Sequence, residues 1–224
     1  MQDFDFANAI RLVAISAVPA LLGIILHEIA HGWMARRCGD HTAESLGRLT
    51  LNPIPHIDPM GLAVFGLTSL TGSFVFGWAK PVPVDPRNFG QPRRDMMLVA
   101  LAGPAANFLL AVAFGAGLIC LLQLLPYASH KDQAWYIFTL SSLQAGIIIN
   151  FGLGWLNLLP VPPLDGSKIL AYFLSPQLAA RYLEISRYGF IILILLLATG
   201  VLGKILGPLV RWSALALYSL LGLA

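Results

Sequence analysis

The 224 residues predict an all-α polytopic membrane protein of about five to six transmembrane or re-entrant segments, with a small membrane-associated β-like hairpin. Three observations carry that prediction. Hydrophobic residues make up 57% of the chain and charged ones 11%, against roughly 45–50% and about 25% in ordinary soluble domains. Several apolar runs reach the roughly 20 residues that a helix needs to cross about 30 Å of hydrocarbon. Between them lie short intervals rich in proline, glycine and arginine. The composition also excludes other classes. A formal net charge of +3 from 14 Lys+Arg and 11 Asp+Glu leaves no basic face for nucleic acid. Cys38 and Cys120 stand alone, so neither a disulfide framework nor a thiolate zinc site is encoded.

The start, MQDFDFANAI, lacks a basic n-region and carries Asp3 and Asp5, so no cleaved signal peptide is expected and the first apolar run, about 12–35, is read as the first span. The run 61–78 is apolar but broken by glycine, serine and threonine, which suits a re-entrant or hairpin segment as well as a crossing. In the stretch 77–92, GWAKPVPVDPRNFGQP, four prolines forbid a regular helix. Its alternation of Val and Pro around Val82 to Val84 fits an extended edge strand or a rigid interfacial loop. Further spans are expected at about 95–125, 135–159 and 188–206. A shorter fifth run, about 207–223, crosses or lies near the interface. The whole chain reads as one integral-membrane domain, with membrane segments closing it at 188–223.

Basic residues set the expected orientation, because cytoplasmic loops carry the excess of Lys and Arg. Ten of the fourteen fall on one side if 61–78 does not cross: Arg36, Arg37, Arg48, Lys80, Arg87, Arg93, Arg94, Lys168, Arg181 and Arg187. The opposite loop holds Lys131. The N-terminus is therefore expected outside the cytoplasm, with the first and third spans both running inward.

Inside the first span, LLGIILHEIAHGWMARR places His27, Glu28 and His31 in an otherwise apolar helix. A charge at the centre of a span costs about 2.5–3.5 kcal/mol on insertion scales, so three ionisable groups call for compensation. His27 and His31 are four residues apart and stack on one helix face, where two imidazole nitrogens reach one ion. Glu28 sits about 100° round the helix, placed to address water at the metal without being a ligand. That is the logic of H-E-x-x-H. The competing readings are chance occurrence and a proton or ion relay.

A catalytic zinc takes three protein ligands and keeps a fourth position open. The candidates for the third are His41, Glu44, His56, Asp58, His130, Asp165 and Glu184. His130 falls on the opposite side, Glu184 reads as a solvated helix face, and His41 and Glu44 read as a polar loop or cap. Asp165 closes NLLPVPPLDG at the inner end of the third span. Pro160, Pro162 and Pro163 stop the helix, Gly166 permits a tight turn after the carboxylate, and non-helical backbone at this depth needs a protein-lined or watery niche. Ligand and helix N-cap are equal readings of Asp165 on spacing alone.

HEIAH, AGPAANF and NLLPVPPLDG together resemble the site-2 protease family of intramembrane zinc metalloproteases. GRLTLNPIPHIDPMG and GWAKPVPVDPRNF resemble its short branch without a PDZ domain. The likeness runs from about His27 to Gly166. H-E-x-x-H alone is shared by many soluble proteases; its pairing with N-x-x-P-x-x-x-x-D-G in a polytopic chain is specific. The resemblance implies one Zn2+ held by His27, His31 and Asp165, with Glu28 as general base. It makes Asn157 an active-site polar group and places Asn107 near the catalytic centre, where helix packing is its bland alternative. His56 is an auxiliary or gating group, or a polar loop residue beside turn-forming prolines, and Asp58 reads as the latter. The implied catalytic core is about 12–175. The expected activity is hydrolysis of a peptide bond within or near a transmembrane helix of a substrate protein, as in regulated intramembrane proteolysis. The expected setting is the lipid bilayer of a prokaryotic plasma membrane, with the site toward the cytoplasm. A metal-ion or proton transporter using the same cluster is the alternative; the corresponding broken helices in two repeats that such proteins often show are not visible.

Overall fold

The longest apolar runs fold as helices. The computed structural model describes residues 6–61 and 79–223, and in it α1 spans Phe6–Arg37, α2 Pro92–Leu124 and α3 Ala134–Leu158. Shorter helices follow: α4 Asp165–Phe173, α5 Pro176–Glu184 and α6 Gly189–Ala198, and then the longer α7, Val201–Leu220. Local sequence accounts for the ends. Pro92 occupies the first turn of α2, where a missing N–H is harmless, and the Asp95 carboxylate accepts the Gln91 N–H at 2.7 Å. Ser175 caps α5 through Leu178 N–H.

Among the described residues, four helices are long and apolar enough to cross a membrane: Ile10–Arg37, Pro92–Leu124, Ala134–Leu158 and Val201–Leu220. The first three lie where the sequence places them. The C-terminal pair does not. The expected spans 188–206 and 207–223 are replaced by a break at Thr199–Gly200, where Gly200 adopts a left-handed φ of 71°. Only glycine takes that conformation cheaply. Pro208, beside the expected boundary, sits inside α7 instead. The ten residues of α6 rise about 15 Å, half a bilayer core.

The run 61–78, crossing or re-entrant, lies outside the described residues apart from Gly61. Of the β-like hairpin, the described residues show one antiparallel bridge, Ile57 with Ala79, reinforced by Lys80 N–H to His56 C=O at 2.9 Å. Val82 to Val84 is extended and joins no strand among the described residues.

Helix α2 packs between α1 and α3, antiparallel to both, as the pairings His31 with Val99, His27 with Asn107, Phe114 with Gly146 and Phe108 with Gly154 require. The end of α1, the start of α2 and the end of α3 therefore share one level. Ala111, Leu118, Ile147, Phe151, Ala214 and Leu217 form the core that joins α2, α3 and α7. At the shared level, Ala35, Phe89 and Val99 clamp the segment 79–89, which ends in a 3-10 turn at Pro86–Asn88, against α1 and α2.

A single fully buried carboxylate fixes that segment. Asp40, just past α1, accepts Thr42 N–H at 3.1 Å, Thr42 Oγ1 at 2.5 Å and Asn88 Nδ2 at 2.8 Å on one oxygen, and Asp85 N–H at 2.7 Å on the other. Burial alone raises its carboxyl pKa; the hydrogen bonds from Thr42, Asn88 and Asp85 outweigh burial and hold it below the usual carboxylate value.

Candidate metal centre

His27 and His31 point from α1 toward α2, and each imidazole is steered through its Nδ1. His27 Nδ1 lies 2.7 Å from Asn107 Oδ1, and His31 Nδ1 lies 2.7 Å from the Val99 carbonyl. A carbonyl only accepts, so Nδ1 of His31 carries the proton; the Asn107 oxygen imposes the same tautomer on His27. In the neutral rings both Nε2 atoms are then bare lone pairs. They stand 2.9 Å apart, and each lies 3.1 Å from Asp165 Oδ2.

With both rings neutral, three acceptors meet at one point, and all three residues are at most 8% exposed. Such a convergence is repulsive until a cation sits in it. A tetrahedral ion about 2.0–2.1 Å from each donor would space them by about 3.3 Å, within a few tenths of an ångström of the separations here. The donor set, two imidazoles and one carboxylate, fits zinc. Among the described residues no other group of His, Cys, Asp and Glu brings three ligand atoms together in this way.

Close backbone approach makes the point reachable. A Cβ on Gly103 would fall 2.5 Å from His31 Cε1 and Nε2 and 2.6 Å from His27 Cε1, so glycine is what lets α2 lie against both rings. Asp165 is the first residue of α4, and its side chain makes no helix cap; the oxygen is turned to the histidines instead. Its other oxygen accepts Lys168 Nζ at 3.1 Å. The sequence reading gave Gly166 a turn. It lies inside α4 with no positive φ, and what it permits is contact with the Leu158 and Leu159 carbonyls, into which a Cβ would run. Arg93 at the start of α2 donates to the carbonyls of Ala171, Tyr172 and Leu174, closing the far end of α4. Tyr182 Oη donates to Pro160 C=O at 2.6 Å, bracing the proline loop from α5.

Glu28 stands outside the donor set, half-buried, and its Oε2 accepts Val82 N–H at 2.7 Å. The extended segment thus lies directly on the H-E-x-x-H helix.

The remaining candidates are elsewhere. His41 pairs with Glu44 at 2.8 Å, and Arg36 joins them at 3.1 Å, in an exposed cluster past α1. His56 is buried; its Nε2–H donates to Thr50 C=O at 2.9 Å, and it has no bond to the three donors. Asp58 accepts the N–H groups of Met60 and Gly61. His130 lies at the opposite end of α2 and α3, bonded to Pro126 C=O and stacked on Tyr136. Glu184 is exposed at the end of α5. Asn157 is half-buried with its amide turned back on the Leu153 carbonyl at 3.0 Å. Asn107, by contrast, touches His27 directly. The sequence reading did not single out Asn150, although an amide in the apolar run IIINFG carries the same signal as the histidines: an expensive polar group inside a span.

The family model for peptidase family M50 matches residues 116–197, which include Asp165 but not His27 or His31. Relatives cover both. "Putative zinc metalloprotease YwhC" of Bacillus subtilis is 35% identical over 94% of this chain and 93% of its own. "Putative zinc metalloprotease Rip2" of Mycolicibacterium smegmatis is 35% identical over 86% of this chain and 70% of its own. "Putative zinc metalloprotease Rip3" of Mycobacterium tuberculosis, a longer protein, is 28% identical over 87% of this chain and 40% of its own. No solved structure matches.

Proposed function

The chain belongs to peptidase family M50, and from that premise we propose that it is a zinc metalloprotease that hydrolyses a peptide bond within or near a transmembrane helix of another membrane protein. One observation carries the reading: the ligand atoms of His27, His31 and Asp165 converge on a buried point while Glu28, one residue away on α1, stays out of the set. Zinc held by His27, His31 and Asp165 would polarise the scissile carbonyl and acidify water toward a pKa of about 7.

The chain's own groups supply the rest. Glu28, its Oε2 held by Val82 N–H, takes the proton from attacking water and returns it to the leaving amine. Lys168 neutralises the second oxygen of Asp165. Asn157, the residue before the last of α3, is the group we assign to the substrate backbone, exchanging its bond to Leu153 for one to the unwound peptide.

A substrate helix hides its amides in internal hydrogen bonds and must open before it can be cut. The segment 79–85 is the receiving edge in this proposal. Lys80 and Val82 have spent their N–H groups on His56 and Glu28, and Pro81 and Pro83 have none. The Lys80 carbonyl already accepts Arg48 Nη2 at 2.7 Å, so in this proposal the carbonyls that follow it, from Pro81 to Val84, receive the substrate's N–H groups. The arginine and lysine asymmetry supports a cytoplasmic position for this end of the molecule; the setting in this proposal is a prokaryotic plasma membrane, which suits regulated intramembrane proteolysis.

The test is metal analysis of the purified protein joined to cleavage of a model transmembrane peptide. Glu28→Gln is expected to keep its zinc and lose at least about a hundredfold in turnover, the scale of general acid–base catalysis. Asp165→Asn is expected to lose both. Undiminished cleavage by Glu28→Gln would overturn the reading.

A further inference from the structure

Both imidazoles must present bare Nε2 atoms, and for His31 a backbone carbonyl is enough to fix that. His27 instead faces an amide side chain, which by itself could turn either its oxygen or its NH2 toward the ring. Something has to set the polarity of Asn107.

Asn107 is fully buried, and its Nδ2 donates to Gly23 C=O at 3.0 Å and to Asn150 Oδ1 at 3.1 Å. Asn150, also fully buried, donates its own Nδ2–H to Gly146 C=O at 2.9 Å. Both ends of this chain are main-chain carbonyls, which can only accept. Turning Asn150 over would set its oxygen against the Gly146 oxygen and its NH2 against the NH2 of Asn107. Turning Asn107 over would set its oxygen against the oxygens of Gly23 and Asn150 and present NH2 to His27. Each flip buries unpaired or opposed polar groups, which a low-dielectric interior penalises. The polarity therefore runs one way, from the Gly146 carbonyl through Asn150 and Asn107 to the Nδ1 proton of His27.

We propose that Asn150 is a positioning residue of the metal centre: acting through Asn107, it fixes His27 as the Nδ1–H tautomer and aims the bare Nε2 at the point shared with His31 and Asp165. The role rests on the metal-centre reading above and deepens it by tying α3 to the ligands on α1. The space is reserved for it. A Cβ on Gly23 would fall 2.5 Å from Asn150 Oδ1, so α1 carries glycine where the relay crosses.

Groups that orient metal-binding histidines are worth about 10–100-fold in metal affinity when removed; a residue one bond further out is expected at the low end. The test measures zinc affinity of the purified full chain by chelator competition, and the visible spectrum of the cobalt-loaded protein, for Asn107→Leu, Asn150→Leu, Asn150→Ser and the double variant Asn107→Leu/Asn150→Leu. Asn150→Ser keeps a hydroxyl donor for the Gly146 carbonyl, which preserves helix packing, but is too short for Asn107. Both Asn150 variants are expected to lose about tenfold in affinity and to shift the cobalt bands. The double variant is expected to bind no more weakly than Asn107→Leu, because Asn150 has no other route to the ligand. A purely structural Asn150 would lower thermal stability and leave the zinc affinity of Asn150→Ser and its cobalt spectrum at native values, which would overturn the proposal while leaving the metal centre intact. Native protein that binds no zinc, or binds it equally after His31→Ala, would overturn the metal-centre reading and this role with it.

Discussion

The donor set and the extended segment that lies over it are held by opposite kinds of contact. Apart from the Lys168 ammonium on Asp165, His27, His31 and Asp165 are steered by groups that do not titrate: the Val99 carbonyl, the Asn107 amide, and two glycines that admit neighbouring atoms at near-contact distance. The segment 79–89 is held by carboxylates reaching backbone N–H groups, Asp40 on Asp85 and Glu28 on Val82. Packed helices with opposed glycines have one arrangement, because interiors at crystal-like density do not deform gradually. A carboxylate on an N–H can be exchanged for another acceptor. The difference separates a permanent site for the ion from an adjustable edge for the substrate.

The sharpest way to break this contrast is to fill the glycines. In Gly166→Ala the added Cβ meets backbone carbonyls of Leu158 and Leu159, which have no freedom to withdraw, so α4 must shift and Asp165 with it. In Gly103→Ala the Cβ meets imidazole atoms of His31 and His27, which can tilt by a few tenths of an ångström. Overpacking of this kind costs about 1–3 kcal/mol and occasionally more. Gly166→Ala is expected at or above the top of that range, with zinc lost and the melting temperature lowered; Gly103→Ala is expected inside it, with zinc affinity reduced about tenfold or more. Metal content and thermal unfolding of the two variants check the order. If Gly166→Ala retains native zinc, the carboxylate is not held by that approach.

A smaller effect is expected on the other side. Val82→Pro removes the N–H that holds Glu28 in a segment already extended and flanked by Pro81 and Pro83. Zinc content should stay native, because no ligand is touched. Turnover of a transmembrane peptide should fall about tenfold, since a misplaced base forfeits part of the 10²–10⁴ that proton transfer supplies. Equal losses of zinc and turnover would mean that segment and donor set are one unit, and the contrast would fail.

How far each region was legible in the sequence follows from the same difference. Two histidines four residues apart on a helix need only the helix to meet, so local spacing foretold them. Asp165 was one of two equal readings until the family resemblance weighed in, because its approach depends on Gly166 against α3 and on Arg93 closing α4 from a residue over 70 positions away. Asn107 was placed near the centre by resemblance; its bond to His27 and the relay through Asn150 come from three helices and appear in no short window of the chain. The C-terminal boundary failed for a local reason: Pro208 sits inside α7, where a membrane helix tolerates it, while Gly200 at positive φ ends a helix inside the expected span. Val82 was read as an edge, and nothing in its pattern announced that Glu28 would take its N–H.

The gentlest probe of the contrast is pH. Asp40 has a folded-state pKa held below 3.8 by hydrogen bonds that outweigh its burial. A depressed carboxyl stabilises the state that holds it ionised: the contribution is fully present above the unfolded value of about 3.9 and disappears as pH falls through the folded one. At pH 7 the Asp85 amide is therefore expected to exchange with solvent more slowly in the native chain than in Asp40→Asn, whose NH2 cannot accept from both sides of the clamp. Zinc content of the two proteins at pH 7 is expected to be equal, since Asp40 touches no ligand. Below about pH 4 the extra protection of the native amide over the variant's should disappear, while the variant shows no such step. A native amide whose protection is flat through that range would mean that the clamp does not depend on charge, and the segment would then be as fixed as the metal site beneath it.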